Sequence, residues 1–257
     1  MLARSAIPLY KNNVMCLYGG KMKKTGNVKV KNENTPLYTS THNQESYLHS
    51  LSNKKVTIAH GPAGTGKTML ACAHAIQELD SGMYRKVIIT RPAVALDEEH
   101  GYLPGDLNEK MLPWMIPIYD NFMLFTTKTN LDYYIDSGKI EIAPLSFIRG
   151  RTFHNTLIIA DEMQNSTQNQ MKTLLTRIGT ESCIIITGDL QQCDLELGKT
   201  NGLLDFIERL KNYSANTKTD DDFICVIELD TDDIHRSETV KHILEIYNHD
   251  MNGGTIS

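Results

Sequence analysis

Short apolar runs alternate with longer segments of helical spacing along most of the chain, and this alternation predicts an α/β protein. The central runs are apolar at successive positions, which is typical of parallel strands that are buried on both faces. We therefore predict a mostly parallel β-sheet with helices on both faces. The runs that predict strands cover residues 56–59, 85–90, 140–145, 156–160, 183–187 and 223–229. The segments that predict helices cover residues 69–79, 129–137, 170–178 and 203–210, with a first helix around residues 47–51 and a terminal helix from residue 233.

A glycine-rich loop joins the first predicted strand to the helix predicted over residues 69–79, and it matches the pattern G-x-x-x-x-G-K-[ST]. Glycines let the main chain wrap closely, so that several N–H groups point at a phosphate, and the following helix adds its positive N-terminal end. The alternative is an ordinary glycine-rich turn with a chance lysine, which the flanking strand and helix disfavour. The loop consists of Gly61, Pro62, Ala63, Gly64, Thr65, Gly66, Lys67 and Thr68.

The end of this loop predicts the binding of a nucleoside triphosphate together with a metal ion. Lys67 supplies positive charge for the β- and γ-phosphates, and the hydroxyl of Thr68 completes a Mg²⁺ shell. Two acids, Asp161 and Glu162, follow a later predicted strand. We expect Asp161 to hold Mg²⁺ and Glu162 to polarise the attacking water. The alternative is that the two acids cap a helix that begins near Thr167.

Other polar side chains are candidates for the same site. The amide of Gln44 suits the adenine edge, although, taken alone, the residue fits a surface position or a capping partnership with Thr41 better. Asp189 and Gln192 follow a predicted parallel strand, where ligands bind in open α/β sheets, and we expect them to sense the γ-phosphate. Arg236 is a candidate arginine finger. The histidine spacing predicts no zinc site.

Two arginine positions and one long segment keep two interpretations open. Arg91 follows a predicted strand and faces either a ligand or solvent. Arg149 and Arg151 flank a glycine and either grip phosphates or are ordinary surface charges. Residues 93–125 form an insertion that holds substrate or contacts a neighbouring subunit, or, as we favour, packs into the core.

Charge and composition set the domain organisation. The chain has 257 residues and a net charge of −5, so any surface for nucleic acid must be a local basic patch. Residues 1–35 are rich in lysine, and we predict a basic, flexible N-terminal extension in preference to an arm that binds nucleic acid. We predict an ATPase domain over residues 36–250 and a frayed C-terminus over residues 251–257.

The cysteines and the hydropathy indicate the compartment. The five cysteines are scattered and never occur in C-x-x-C spacing, so we predict free thiols in a reducing cytoplasm. No apolar run is long enough for a membrane span, and the N-terminus lacks the apolar core of a signal peptide.

Once these motifs are aligned, the chain resembles superfamily 1 helicase motors and, more narrowly, the PhoH-like (phosphate-starvation-inducible) ATPase family. The resemblance extends from about Thr41 to Tyr247. Its combination of motifs is far more specific than the phosphate loop alone. The motifs are Thr41-x-x-Gln44, residues 61–68, Arg91-Pro92, residues 101–110, residues 147–153, residues 161–165, Gln170-Met171-Lys172, residues 175–179 and Gly188-Asp189-x-x-Gln192.

This resemblance implies a RecA-like sheet, Mg²⁺-dependent hydrolysis of ATP and a link to RNA metabolism. Met163 replaces the alanine that is usual in the acidic motif, and Ser237 replaces the histidine that usually follows the terminal arginine. The second departure leaves the role of Arg236 in question, so that Arg149, Arg151, Arg177 and Arg236 all remain candidate fingers. The ribonuclease-like PIN domain of some relatives is missing, and we predict no nuclease activity.

The chain is therefore predicted to be an ATPase that couples hydrolysis to the binding or unwinding of single-stranded nucleic acid, with RNA favoured over DNA. A switch that hydrolyses ATP slowly and does not translocate is the main alternative. A small-molecule kinase is disfavoured because Glu162 is suited to activate water, which favours hydrolysis over transfer. The chain has room for only one RecA-like half, so we predict a homo-oligomer, for example a ring, in which a second subunit completes the site.

Overall fold

One sheet of six parallel strands is the centre of the computed structural model, which describes residues 39, 41–92, 116–195, 200–217, 221–234 and 239. The strand order is β3-β2-β4-β5-β1-β6, and every neighbouring pair is parallel. The prediction of a mostly parallel α/β sheet is thus confirmed. The strands are β1 (Val56–His60), β2 (Lys86–Thr90), β3 (Ile140–Ile142), β4 (Thr156–Ala160), β5 (Cys183–Gly188) and β6 (Ile224–Glu228).

Three of the helices begin directly after a threonine that caps them. The side chains of Thr41, Thr127 and Thr167 each accept a hydrogen bond from the first turn of the helix that follows. The helices are α1 (His42–Asn53), α2 (Lys67–Ser81), α3 (residues 116–123 within the described part), α4 (Lys128–Asp136), α5 (Gln168–Leu175) and α6 (Gly202–Thr217). Short 3₁₀ turns cover Leu145–Ile148, Met163–Asn165 and Thr231–Asp233. None of the helices within the described ranges is both long and apolar enough to cross a membrane.

Helices cover both faces of the sheet, as the sequence predicts. Along β4, Leu157 and Ile159 pack into the core beneath α2, whereas Ile158 and Ala160 pack into the core beneath α5 and α6. These side chains are at most 1% exposed, and full burial of an aliphatic side chain of the size of Leu or Ile contributes about 1.5–3 kcal/mol. The alternation fixes which strand residues face each helical layer.

The strand order brings three loops to one edge of the sheet. Because all strands are parallel, β1, β4 and β5 end at the same edge, and β5 lies between the other two. His60 at the end of β1 is in register with Gly188 at the end of β5. The main-chain N–H of Gly61 donates to the carbonyl of Gly188. The glycine-rich loop therefore starts beside the ends of the strands that precede the predicted acids.

Candidate active site

The loop after β1 has a conformation that requires its glycines. Gly61, Gly64 and Gly66 have φ angles of 148°, 86° and 85°, a region that favours glycine. A Cβ atom on Gly61 would also lie 2.0 Å from the carbonyl oxygen of Leu229. The hydroxyl of Thr65 donates to the Pro62 carbonyl at 2.9 Å and closes the loop. The main chain thus forms a tight cradle at the edge of the sheet.

The helix that follows the loop differs from its neighbours at its N-terminus. No side chain caps α2, and its N-cap position is Gly66, whereas threonines cap α1, α4 and α5. The first N–H groups of a helix need acceptors, and the helix dipole makes this end positive. The start of α2 is therefore suited to an anionic ligand such as a phosphate.

Lys67 adds a positive charge inside the cradle. Its ammonium donates to the carbonyl oxygens of Gly61 and Pro62, each at 2.7 Å. Burial lowers the pKa of Lys67 below its ordinary 10.5, while three nearby carboxylates, led by that of Asp189, act in the opposite direction. The charge is thus partly shielded from water and lies at the mouth of the loop.

Asp161 is the point at which the cradle and the predicted acidic pair meet. Its side chain is 1% exposed, and its Oδ1 accepts hydrogen bonds from the hydroxyls of Thr68, at 2.7 Å, and of Thr187. Its Oδ2 accepts from Nε of Arg91 at 2.8 Å and from a second nitrogen of the same guanidinium. The structure brings the two predicted metal ligands, Thr68 and Asp161, into direct contact.

The site also contains Arg91, whose direction the sequence left open, and Thr187, which the sequence did not single out. Arg91 faces the site and not solvent, since it pairs with buried Asp161 and is only 12% exposed. Both residues lie at the ends of parallel strands, which is the one signal that could have found them. The alternation of side chains cannot locate them, because it does not give the register between strands.

Glu162 and Asp189 are linked through a buried glutamine. Glu162 has a left-handed backbone (φ 56°), and its Oε2 accepts a hydrogen bond from Nε2 of Gln164 at 2.6 Å. Oε1 of Gln164 accepts from the main-chain N–H of Asp189 at 3.0 Å, and Gln164 is 1% exposed. The alternative that Asp161 and Glu162 cap a helix is wrong for α5, because Thr167 caps α5 in a capping box with Gln170.

Gln44 lies against the phosphate loop. It is 3% exposed, and its Nε2 donates to the carbonyl oxygens of Thr65 at 3.2 Å and of Asp233 at 3.4 Å. The alternative that placed Gln44 on the surface is therefore wrong. Nearby, the fully buried Tyr47 donates its hydroxyl to the Lys67 carbonyl at 3.3 Å. A contact of Gln44 with adenine stays a prediction.

Of the remaining predicted residues, Asp189 and Gln192 follow β5, and Arg236 lies outside the described residues. Gln192 is exposed, and its main-chain N–H donates to the Asp189 carbonyl at 3.1 Å. Asp189 itself is 6% exposed at the end of β5. Arg236 lies outside the described residues, as do residues 1–38, most of the insertion (93–115) and the chain from residue 240 onward.

The other candidate arginines have individual surroundings. The guanidinium of Arg151 donates to both carboxylate oxygens of Glu141, at 2.6 and 3.0 Å, and this interaction is the main reason that the pKa of Glu141 falls to about 2. Arg177 donates to the carbonyl oxygens of Thr173 and Arg151. Arg149 is exposed at the end of the 3₁₀ turn that follows β3. The ion pair and main-chain bonds indicate structural roles for Arg151 and Arg177.

The donor set of the cluster fits a hard divalent cation. Mg²⁺ prefers oxygen ligands and is usually held by one or two carboxylates with the help of substrate phosphates. Asp161 supplies a carboxylate beside the Thr68 hydroxyl, and a positive helix end adjoins them. The arrangement is suited to hold a phosphate chain and a metal ion. Glu162, which directly follows Asp161 in the chain, is suited to act as a base.

A parallel sheet with this cradle after β1 and an acidic pair after β4 defines the class of P-loop NTPases. The chain belongs to the PhoH-like protein family, whose model matches residues 36–248. A PhoH-like protein of Bacillus subtilis (strain 168) is 42% identical over 207 residues, which are 80% of this chain and 62% of that protein. Protein PhoH of Escherichia coli (strain K12) is 34% identical over 230 residues, covering 89% of this chain and 63% of the relative. The chain thus spans less than two thirds of the length of these relatives.

Solved structures with detectable similarity are more distant. The Pif1 helicase from Candida albicans has a TM-score of 0.40 and 16% sequence identity, covering 86% of this chain and 46% of the helicase. The large terminase from a thermophilic bacteriophage has a TM-score of 0.46 and 13% identity, covering 83% of this chain and 50% of the terminase.

Proposed function

We propose that this protein is a Mg²⁺-dependent ATPase that couples hydrolysis to single-stranded nucleic acid, with RNA favoured over DNA. The observation that carries the proposal is the 2.7 Å hydrogen bond between Thr68 and Asp161. It joins the phosphate cradle to the acidic pair, although the two motifs are far apart in the sequence. The N-terminus of α2, which no side chain caps, supports the same assignment.

In this proposal the N–H groups at the start of α2 bind the phosphates, and the Lys67 ammonium exchanges its loop carbonyls for β- and γ-phosphate oxygens. Thr68 and Asp161 hold Mg²⁺, which neutralises charge on the phosphates when it is bound. Gln44 contacts the adenine. Asp189 and Gln192 respond to the γ-phosphate.

Glu162 acts as the general base. It accepts a proton from the attacking water, while the hydrogen bond from Gln164 holds its carboxylate in place. The phosphoryl group is therefore transferred to water in preference to a small-molecule acceptor. This chemistry favours hydrolysis over a kinase reaction.

Glu162→Gln is the direct test. The variant keeps the size of the side chain and loses the base, so we expect ATP to bind normally while turnover falls by about 10²-fold or more. Glu181→Gln is a matched control, because Glu181 also has a φ of 56° and is exposed, but it precedes β5 at the opposite edge of the sheet. Wild-type turnover by Glu162→Gln would show that another group is the base.

The coupling to nucleic acid is tested by the ATPase rate with and without single-stranded RNA and DNA. Stimulation by either supports the proposal, and stronger stimulation by RNA supports the preference. A slow rate that ignores both polymers would instead indicate an ATP-dependent switch.

The compartment and assembly complete the proposal. Cys72 and Cys183 are buried free thiols, which suits a reducing cytoplasm. We propose residues 36–250 as the ATPase domain and a homo-oligomer as its working form.

A further inference from the structure

An open cleft lies on the face of the sheet opposite to α2. It has a volume of about 590 Å³ and runs between the 3₁₀ turn Leu145–Ile148 and α5. The 3₁₀ turn and α5 belong to one hydrophobic core, on one face of the sheet, whereas α2 belongs to the core on the other face. The cleft is therefore distinct from the phosphate cradle.

The cleft is basic within an acidic chain. Arg149 and Lys172 line it, and both side chains are exposed. Within the described ranges, neither forms an ion pair or a side-chain hydrogen bond. By contrast, Arg151, two residues after Arg149, is bound to both oxygens of Glu141. No carboxylate is among the described lining residues, so the two positive charges are available to an anion.

The rest of the lining is suited to a sugar–phosphate chain. The uncharged side chains of Ser146, Asn169 and Thr173 offer hydroxyl and amide groups along the cleft. Phe147 is not one of the residues that line the cleft, but it follows the lining residue Ser146 on the same 3₁₀ turn and is 52% exposed. Such a combination of cations with an exposed aromatic ring is typical of surfaces that bind single strands, since phosphates pair with the cations and a base stacks on the ring.

We propose that this cleft binds a short stretch of single-stranded polynucleotide, with its phosphates on Arg149 and Lys172, and that a base next to the cleft stacks on Phe147. The inference rests on the proposed function only in taking a single strand as the effector of the ATPase. A duplex fits less well, because its bases are already stacked and offer no free face to Phe147.

The position of the cleft also provides a route to the catalytic base. Helix α5 forms one wall and follows the 3₁₀ turn Met163–Asn165 after only Ser166 and Thr167. That turn contains Gln164, which holds Glu162 at 2.6 Å. A bound polynucleotide that shifts α5 would therefore move the adjoining residues 163–167 and, through the hydrogen bond from Gln164, the base Glu162. Binding in the cleft would in this way stimulate hydrolysis.

The test compares Arg149→Ala/Lys172→Ala with Arg85→Ala/Lys128→Ala. The control removes the same two residue types from exposed positions, one before β2 and one at the start of α4 on the other face of the sheet. Binding of labelled uridine and deoxythymidine oligomers is measured by fluorescence anisotropy over a range of salt concentrations. We expect the cleft variant to bind at least tenfold more weakly. The slope of log K against log[salt] should also fall by about 1.4, because each phosphate contact contributes about 0.7 on single strands.

A third variant, Phe147→Ala, is expected to weaken binding about tenfold with little change in the salt slope. Equal losses for the two oligomers support recognition of the phosphate chain, and a larger loss for uridine supports additional contacts to the ribose hydroxyl. Binding by the cleft variant with the affinity and slope of the control would overturn the inference, as would a wild-type protein that binds neither oligomer.

The ATPase rate without polynucleotide separates this inference from the proposed function. We expect Lys172→Ala alone, which leaves the candidate finger Arg149 in place, to keep the basal rate and to lose much of the stimulation. If the wild type binds the oligomers through the cleft but hydrolyses no ATP, the proposed function fails and the cleft assignment is retained.

Discussion

Gln164 positions the proposed base Glu162, and its amide group takes no part in proton transfer. Its amide joins Glu162 to the main chain of Asp189 by hydrogen bonds of 2.6 and 3.0 Å. We predict that Gln164→Met lowers kcat for ATP about 10- to 100-fold, because a base displaced by roughly 1 Å loses much of its effect. The affinity for ATP should change much less, since Gln164 does not belong to the cradle. Steady-state kinetics together with equilibrium nucleotide binding measures this division.

The matched control for that variant is Gln168→Met, since Gln168 is an exposed residue of α5 that bonds only to Asp205 in the described part of the chain. A merely structural role for Gln164 would lower kcat and ATP binding together and would lower the free energy of unfolding. Unchanged kcat in Gln164→Met would exclude the positioning role.

The residues of the cradle were predictable because their motif fixes both spacing and local conformation. Thr68 and Asp161 were predicted from the sequence, and their side chains are in contact, while Lys67 lies in the same loop and donates to its carbonyls. Arg91 and Gln164 needed the structure. A single arginine at a strand end carries no periodicity, and the partner of a buried amide depends on the turn after β4, where Glu162 has a positive φ that the sequence does not indicate.

At the scale of elements, the strands and most helices were predictable, but their order in the sheet was not. A strand that is buried on both faces is an apolar run whichever strands lie beside it. The apolar pattern therefore cannot show that β1 lies between β5 and β6. The predicted strand over residues 140–145 ends earlier, at Ile142. Leu145 is buried in the 3₁₀ turn that follows. A buried apolar residue is compatible with a strand and with a 3₁₀ turn, so the sequence could not place the end of β3.

Helix α2 contains a buried histidine that makes the fold sensitive to acid. Burial lowers the pKa of His74 from its ordinary 6.5 to about 4, and Glu78 Oε1 lies 3.9 Å from its Nδ1. Between these values the unfolded chain binds a proton that the folded chain does not, so stability falls as the pH falls from 6.5 to 4. The loss reaches about 3 kcal/mol for such a shift.

We therefore predict that His74→Leu reduces the loss of stability between pH 7 and pH 4.5, as measured by urea unfolding at both values. His49→Leu, at an exposed position of α1, is the control and should leave the pH dependence unchanged. Parallel curves for wild type and His74→Leu would show that other groups govern acid unfolding.

At the scale of the whole molecule, the two faces of the sheet have different proposed tasks. The layer with α2 holds the cradle, and the layer with α5 holds the cleft that contains Arg149. The turn after β4 lies between them and carries Glu162. In this proposal, a polynucleotide bound in the cleft would act through that turn on Glu162 and so on the triphosphate.

Hydrolysis also calls for a positive charge beside that of Lys67 on the γ-phosphate, and three of the described arginines are already paired with carboxylates. Arg91 is bound to Asp161, Arg151 to Glu141, and Arg209 to Asp205. An arginine finger from a neighbouring copy would supply the charge.

We predict that light scattering with ATP gives a mass that is a multiple of the 29.0 kDa chain. Mixing Glu162→Gln with Arg236→Ala should then restore activity that neither variant has alone, because mixed assemblies contain sites with an intact base and a neighbouring arginine. Each variant alone, at the same total protein concentration, is the control. Full turnover by a 29.0 kDa monomer would refute an arginine supplied in trans, whereas an active oligomer without restoration would assign the finger to an arginine other than Arg236.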